Sequence, residues 1–467
     1  MQLSFHGAAR TVTGSKHLLS FKNGKRLLLD CGMFQGMGRQ TDELNNHFGF
    51  HPESINYLVL SHAHIDHSGL IPKLYKEGFR GPIFCTPATK DLCAILLMDS
   101  AEIQQADTKY INRKRAKKGL PLFEPMYTIE DTKSCMELFS TVEYEKWFSI
   151  DDEIKLLLTD AGHIIGSAAV SLQIIEEENT TRITFSGDVG RYNDAILKSP
   201  EEFPQTDYLI LESTYGNKLH EEVKNSAETF LNWITKTCIE KKGKLIIPAF
   251  SVGRTQELLY LLNQLENEGR LPAIKFFVDS PLSREATEVI KSHPENFNKE
   301  LQTVLLHDKN PFDFKELTYI ETAEESKQIN FLNEPCVIIS SSGMAEAGRV
   351  KHHIKNNIAD AKNTILMVGY ASPWSLAGKL LNGVKEVDIY GEEYIVNAEI
   401  GQMASMSAHG DYEDLCEFVS GQDKQKVKKI FLVHGEYDVQ TEFAMNLAQK
   451  GFDVEIPGMN YASSLSL

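Results

Sequence analysis

The sequence is short of positive charge, has no long apolar run and has no paired cysteines. Its 48 Lys and Arg stand against 65 Asp and Glu, a formal charge of −17. Taken alone, that deficit argues against a nucleic-acid partner, because a phosphate-binding surface carries excess Lys and Arg. No stretch approaches the ~18 apolar residues of a membrane span, and the opening MQLSFHGAARTVTGS lacks the basic and apolar regions of a signal peptide. A cytoplasmic chain without a membrane partner is expected. The seven cysteines, Cys31, Cys85, Cys93, Cys135, Cys238, Cys336 and Cys416, are odd in number, widely spaced and form no CxxC pair. That disfavours a disulfide framework or a thiolate zinc site and predicts buried free thiols. No tandem repeat is present. What remains, 467 residues at 42% hydrophobic and 24% charged, is a globular composition long enough for two large units or about three smaller ones.

Several short β-rich runs end in a polar turn that bears Gly or His: 26–32, 55–64, 154–163, 181–188 and 207–216. Strands that stop at a chemical residue are the usual design of an α/β active site, in which loops carry function on a rigid sheet. Residues 88–118 have helical spacing, with Leu92, Ile95, Leu96 and Ile103 on one face, and end in a basic cluster. From about residue 221 a second alternation begins: a helix, the strand 244–250, a helix from about 254 to 268, then strands at 274–280, 336–344 and 363–370. Strands alternating with helices indicate βαβ units and a mostly parallel sheet. The tail returns to strand-then-turn punctuation in EVDIYGEE, EYIVNAEI, MSAHGD and KIFLVHGE.

The segment SHAHIDHSG places His62, His64, Asp66 and His67 within six residues at a strand end. In an extended segment residues two apart point the same way, so His62 and His64 can reach one metal ion while the following turn aims Asp66 and His67 at a neighbouring one. Neutral imidazoles and a carboxylate suit Zn²⁺ and leave its coordination sphere open. Four ligands are too few for two open sites. His163 in DAGHIIGSA, Asp188 in FSGDVG and His434 in LVHGE each end an apolar strand beside a glycine. Alone, each reads equally well as an ordinary strand-end polar residue; their shared placement favours a ligand role.

These motifs resemble those of the metallo-β-lactamase superfamily: Asp30 in LLLDCGMFQG, the HAHIDH run, His163, Asp188 and His434. The resemblance implies an αββα sandwich, with His62, His64 and His163 on one zinc, Asp66, His67 and His434 on the other, and Asp188 bridging them. Asp30 is similar to an outer aspartate that orients ligand histidines, which fixes an imidazole's tautomer and raises its basicity. Small hydrolases of the superfamily need no α/β domain of some 170 residues between Asp188 and His434, and this chain has one. It resembles the β-CASP branch of nucleic-acid nucleases, which includes ribonuclease J and the endonuclease subunit of the pre-mRNA cleavage complex. Glu212 in LESTYG, His409 in SMSAHGD and His434 match further motifs of that branch, and the SAHGD context is that of its RNA-acting members. PAFSVGRTQE, SSSGMAEAGRVKHHIKN and GEE resemble its bacterial and archaeal RNA-processing subfamily.

Two features depart from the subfamily. GYASPWSLAGKLL places Ser375 where threonine is common and Lys379 where arginine is common, and a lysine point charge cannot fork two donors onto a phosphate. The KH-type modules of archaeal members are absent from this sequence. The implied organisation is a metallo-β-lactamase domain at 1–207, an inserted β-CASP α/β domain at 208–380 with a mostly parallel sheet, and a C-terminal return to the first domain at 381–467.

The resemblance implies a zinc-dependent ribonuclease that hydrolyses RNA phosphodiester bonds with two Zn²⁺, Mn²⁺ being a possible substitute, in RNA processing or decay and in endonuclease or 5′-exonuclease mode. Asp66 and Asp188 would hold the metal and water, while His409, kept protonated by Glu212, would bind the scissile phosphate or protonate the leaving oxygen. Ser251, Arg254, Ser342, Gly343, Arg349, Ser375 and Lys379 are candidates for RNA contact, and His352 and His353 are expected at the surface or in packing. The cluster of Lys109, Arg113, Lys114, Arg115, Lys117 and Lys118 reads as a solvated helix face or, more sharply, as an RNA-steering patch. An exposed sheet edge would allow a homodimer. A non-cleaving RNA-binding scaffold and a small-molecule hydrolase of thioesterase type are the alternatives; the complete ligand set opposes the first, and the intervening domain opposes the second. The −17 charge then implies a polarised surface, with the acidity lying away from a cleft whose metal ions reverse the local sign.

Overall fold

The computed structural model describes residues 1–176, 179–220, 226–369, 371–403 and 406–466. The first five residues of the helix expected from 221, Tyr370 of the GYASPWSLAGKLL turn and Ser405 of SMSAHGD lie outside the described residues. Two compact units are present: Met1–Tyr192 with Ser199–Leu219 and His409–Leu467, and Asn193–Lys198 with His220–Ala408.

The first unit contains two seven-stranded sheets. One runs in the order Ala462–Ser464, Gln2–Phe5, His17–Ser20, Arg26–Leu29, Tyr57–Val59, Ile83–Cys85 and Phe139–Thr141; it is antiparallel up to Arg26–Leu29 and parallel beyond. The other runs Val454–Glu455, Lys429–Val433, Tyr208–Glu212, Asn179–Phe185, Ala168–Glu176, Ile154–Asp160 and Phe148–Ser149. Leu27, Leu29 and Val59 of the first sheet share one buried cluster with Leu156, Leu158, Val170, Ile183, Ile210 and Phe431 of the second. Period-two alternation explains why the central strands read as unbroken apolar runs. Tyr208 and Ile210 enter the inter-sheet core, while Leu209 and Leu211 pack with Leu415, Phe418 and Phe443 of the helices Tyr412–Ser420 and Tyr437–Gln449.

The strands Ile154–Asp160, Asn179–Phe185, Tyr208–Glu212 and Lys429–Val433 run in one direction, because two antiparallel steps separate the first from the second and the rest pair parallel. His163, Asp188, Glu212 and His434 therefore emerge at one edge of the sheet.

The second unit holds a six-stranded, all-parallel sheet in the order Leu317–Tyr319, Lys275–Asp279, Cys336–Ser340, Lys244–Pro248, Thr364–Met367 and Glu399–Gln402. Val350, Ile354 and Ile358 cover one face through Ile246, Ile338 and Ile365. The units divide at 220 and 408, whereas the sequence motifs suggested 208 and 380. Strand pairing accounts for the difference: Tyr208–Glu212 lies between two strands of the first unit, and Glu399–Gln402 extends the sheet of the second. EVDIYGEE and EYIVNAEI form the hairpin Glu386–Ile389 with Glu392–Ile395, whose Val387 and Ile389 join the second unit's core. All seven cysteines are free thiols, six of them buried. No helix among the described residues is long and apolar enough to cross a membrane.

Candidate metal centre

Strand Tyr57–Val59 delivers the chain to Ser61, His62 and His64, and a short helix, Ile65–Ser68, then presents Asp66 in its first turn and His67 in its last. The backbone around this helix is gripped from the loops at 13–16 and 30–33. Ser15 N–H donates to Asp66 O at 2.8 Å, Cys31 N–H to His67 O at 2.8 Å and Met33 N–H to Ile65 O at 2.9 Å. The approach is so close at Gly32 that a Cβ there would stand 1.6 Å from Asp66 O. Asp30 and His434 adopt left-handed backbone, with φ of 58° and 48°, where non-glycine residues are uncommon and functional sites concentrate such strain.

The ring nitrogens converge. His62 Nε2 and His163 Nε2 lie 3.2 and 3.1 Å from His64 Nδ1, and His67 Nε2 lies 3.4 Å from His434 Nε2. Asp188 sits among them: its Oδ2 is 3.5 Å from His62 Nε2, 3.3 Å from His67 Nε2 and 3.6 Å from His163 Nε2, and its Oδ1 is 3.5 Å from His434 Nδ1. His62, His64, His163 and Asp188 form one group of ligand atoms within 4.8 Å of one another, Asp66, His67 and His434 a second, and Asp188, Glu212, His409 and His434 a third. The geometry thus brings together all seven residues singled out as ligands and places Asp188 where the groups meet.

Asp30 is fully buried and accepts from Ser61 N–H at 2.8 Å, Ser61 Oγ at 3.0 Å, Ser15 Oγ at 3.2 Å and His67 Nδ1–H at 2.6 Å. A carboxylate on Nδ1 fixes the proton there and turns Nε2 toward the cluster. Glu212, also fully buried, accepts Val189 N–H at 2.7 Å and Thr214 N–H at 3.1 Å, and its Oε1 meets His409 Nδ1 at 3.1 Å. Both oxygens are thereby fixed, and Glu212 orients His409. Three hydroxyl contributors carry no signal in the sequence: Ser15 and Ser61 on Asp30, and Thr214, whose Oγ1 lies 3.1 Å from His434 Nδ1. Single Ser and Thr residues at strand ends have no spacing that distinguishes them.

Electrostatics divide the imidazoles. Burial holds His62 well below its ordinary value and brings His64 down to about 4, so both stay neutral. At His67 burial opposes the charge, but Asp188 and Asp30 overcome it and raise the pKa well above the ordinary value. At His409 burial is likewise outweighed, by Glu212 first and Asp188 second, and the pKa rises to about 9. Burial also opposes ionisation of Asp66 and Asp188. The His434 hydrogen bond nevertheless brings Asp66 down to about 2, and the charges of His434 and His67 hold Asp188 well below the carboxylate range.

The residues fit divalent cations. Several imidazole nitrogens converge within 3.4 Å of one another, and Asp188 Oδ1 among them is buried without a hydrogen-bond partner. A nitrogen and carboxylate donor set is the chemistry of zinc and similar ions.

The RNA-contact candidates lie in the second unit. Ser251 Oγ is 3.4 Å from Ser280 Oγ, and Gly343 faces the Phe250 ring so closely that a Cβ would meet it at 2.7 Å. Ser342 lies on the turn after Cys336–Ser340, and its N–H reaches Ala347 O at 3.4 Å. Ser375 caps the helix Leu376–Leu381, and Lys379 is exposed on it. The two arginines hold internal partners: Arg254 is buried against Glu257, and Arg349 Nη1 bonds the fully buried Asp279 at 2.7 Å. His353 is buried, with Nε2 2.6 Å from the same aspartate, as packing requires. The turns that carry several of them adjoin: Ser251 Oγ and Ser341 Oγ both meet Ser280 Oγ, at 3.4 and 3.0 Å, and Ala377 N–H donates to Met344 O at 3.3 Å.

Residues 18–241 match the metallo-β-lactamase superfamily, 255–380 the Beta-Casp domain and 393–457 the Zn-dependent metallo-hydrolase RNA specificity domain. The chain is 33% identical over 458 residues to ribonuclease TTHA0252 of Thermus thermophilus, covering 98% of both chains. It is 31% identical over 458 residues to the transcription termination factor FttA of Methanocaldococcus jannaschii, covering 95% of this chain and 68% of that one. An RNase J-like protein of the same archaeon is 30% identical over 452 residues, with 95% of each chain covered.

Proposed function

The chain belongs to the β-CASP branch of the metallo-β-lactamase superfamily and is a metal-dependent hydrolase; from that premise we propose that it is a ribonuclease that cleaves RNA phosphodiester bonds with two zinc ions. In this reading His62, His64, His163 and Asp188 would hold one ion, and Asp66, His67 and His434, with Asp188 shared, the other. Two such ions neutralise phosphoryl oxygens and lower the pKa of water at neutral pH; Mn²⁺ offers similar chemistry on the same donors.

The observation that carries the reading is the Glu212–His409 pair. His409 is oriented by Glu212, a carboxylate that belongs to neither ion's ligand set in this reading, at 3.1 Å, and it is partly open at 17% exposure. Its ring centroid is 4.6 Å from that of His163 and 5.7 Å from that of His434. A protonated imidazole there can bind a phosphate oxygen and then give its proton to the leaving alkoxide. Glu212 holds a proton on Nδ1, which leaves Nε2 as the second nitrogen that can carry one. Asp30 fixes His67, and Thr214 braces His434, so neither ring needs to reorganise when substrate binds.

Metal-quantified protein incubated with RNA and with matched DNA, each labelled separately at either end, tests the proposal. Cleavage of RNA is expected: internal fragments identify an endonuclease, and mononucleotides released from one end an exonuclease. No RNA cleavage by fully zinc-loaded protein, or hydrolysis of an acyl thioester in its place, would refute it.

A further inference from the structure

The helix Pro87–Ala116 is 30 residues long, yet its last buried residue is Ala101. The remaining 15 residues extend roughly 22 Å at 1.5 Å per residue, and none of them is buried. A helix end that is polar all round gains nothing from packing. This one nevertheless carries Ile103, Tyr110 and Ile111 at 51%, 58% and 41% exposure, with Leu122 and Phe123 exposed on the segment that returns beside it.

That segment is held in place. Asn112 Nδ2 donates to Phe123 O at 2.8 Å and Asn112 Oδ1 accepts Phe123 N–H at 2.9 Å, while Arg115 Nε donates to Pro121 O at 2.5 Å. Between helix and segment runs an open groove of about 640 Å³, lined from the helix by Lys109, Asn112 and Arg113 and from the segment by Leu122 and Phe123. Lys114 sits over the Tyr110 ring at 4.2 Å, and Arg115 over the Phe123 ring at 4.0 Å. Residues 103–125 carry six Lys or Arg against Asp107 and Glu124, a net of +4 in a chain whose total is −17.

We propose that this arm is a binding site for single-stranded RNA, separate from the metal centre, which holds the substrate by its phosphates on Lys109, Arg113 and Lys117 and by its bases on Tyr110 and Phe123. The proposal rests on the ribonuclease reading and names where that substrate is gripped. A line of cations interleaved with exposed aromatic rings is what single-stranded nucleic acid needs, since each base stacks on a ring while the backbone follows the charge. Protein interfaces, including one with a second copy of this chain, are depleted in Lys, and four of the six cations here are Lys. The arm reverses the local sign in an acidic protein, so the polarised surface that such a protein needs to bind RNA is present in one element.

The test compares full-length wild type with the triple variant Lys109→Glu, Arg113→Glu, Lys117→Glu, and with its Gln counterpart, on a labelled single-stranded 20-nucleotide RNA and on bis(p-nitrophenyl) phosphate. The three side chains are exposed, and the Asn112 and Arg115 tethers are left intact. For the RNA, the Glu variant is expected to raise KM at least ~10-fold and to flatten the log KM against log salt slope by about 2. The Gln variant, which loses the same three cations, flattens the slope by a similar amount and raises KM by less, and hydrolysis of the small diester is unchanged in each. Tyr110→Ala raises KM without altering the salt slope. Equal KM and slope in wild type and both triple variants would overturn the arm while leaving the ribonuclease reading intact. Wild type that hydrolyses the small diester but no RNA would instead overturn that reading. A change of oligomeric state in the variants with RNA KM unmoved would assign the surface to a second copy and overturn the proposal.

Discussion

Asp30 Oδ2 lies 2.6 Å from Nδ1 of His67, and neither side chain is more than 1% exposed. The pair joins the end of strand Arg26–Leu29 to the short helix after Tyr57–Val59, and it sets which nitrogen of His67 faces the cluster. Carboxylates in this position typically contribute 10–100-fold to metal affinity. Asp30→Ala is expected to weaken zinc binding by about that factor, measured by competition with a chromophoric chelator; unchanged affinity would show that Asp30 only fills space.

Gly32 is fixed by approach and not by backbone freedom, since its Cβ would meet Asp66 O at 1.6 Å and Asp66 C at 2.2 Å. Gly32→Ala must push the ligand helix away from the loop. A destabilisation of roughly 3 kcal/mol is expected, together with substoichiometric metal, and denaturant melts with elemental analysis read both. A variant of wild-type stability and full metal content would contradict the close packing.

His409 should be separable from metal binding. His409→Ala is expected to lower kcat on RNA by roughly 10²–10⁴-fold while the protein still binds two zincs. Glu212→Gln should lower kcat less and shift the alkaline limb of the pH–rate profile to lower pH, because the carboxylate that raises the His409 pKa is gone. Full activity in His409→Ala would remove it from the chemistry.

Lys16 is a fully buried ammonium with no carboxylate partner among the contacts described. Its Nζ donates to Gly14 O at 2.9 Å and Gly32 O at 2.7 Å, and it sits 4.3 Å over the Phe34 ring. Burial brings its pKa from 10.5 down to about 7. Between those values the unfolded chain binds more protons than the folded one, so stability rises with pH across that window, and the full burial cost applies below it. Relative to Lys16→Met, wild type should gain on the order of 3 kcal/mol between pH 7 and 9.5 in urea melts. A difference that does not change with pH would refute the shift.

The site was largely legible where chemistry sits on a regular spacing. HAHIDH combines a strand's period of two with a helical turn, and His163, Asp188 and His434 each close an apolar run. The hydroxyls of Ser15, Ser61 and Thr214 were not legible, because their role comes from partners 15, 31 and 220 residues away. Arg349 read as a free cation for the same reason: its partner Asp279 lies 70 residues back in the chain. Strand Ala168–Glu176 ends at no chemical residue and so carries no signal of that kind, although it pairs with antiparallel neighbours on both sides. The unit boundaries moved because a hairpin and an edge strand declare their sheet only through pairing.

In the proposed function one cluster of His and Asp side chains holds two metal ions, and both are needed to cleave RNA. Wild-type protein stripped with a chelator and titrated with zinc, with bound zinc per chain and cleavage of end-labelled RNA measured on the same samples, tests it most directly. Cleavage is predicted to be absent without metal and to appear as occupancy passes from one ion to two. Full cleavage by stripped protein, or none at two ions per chain, would contradict the account.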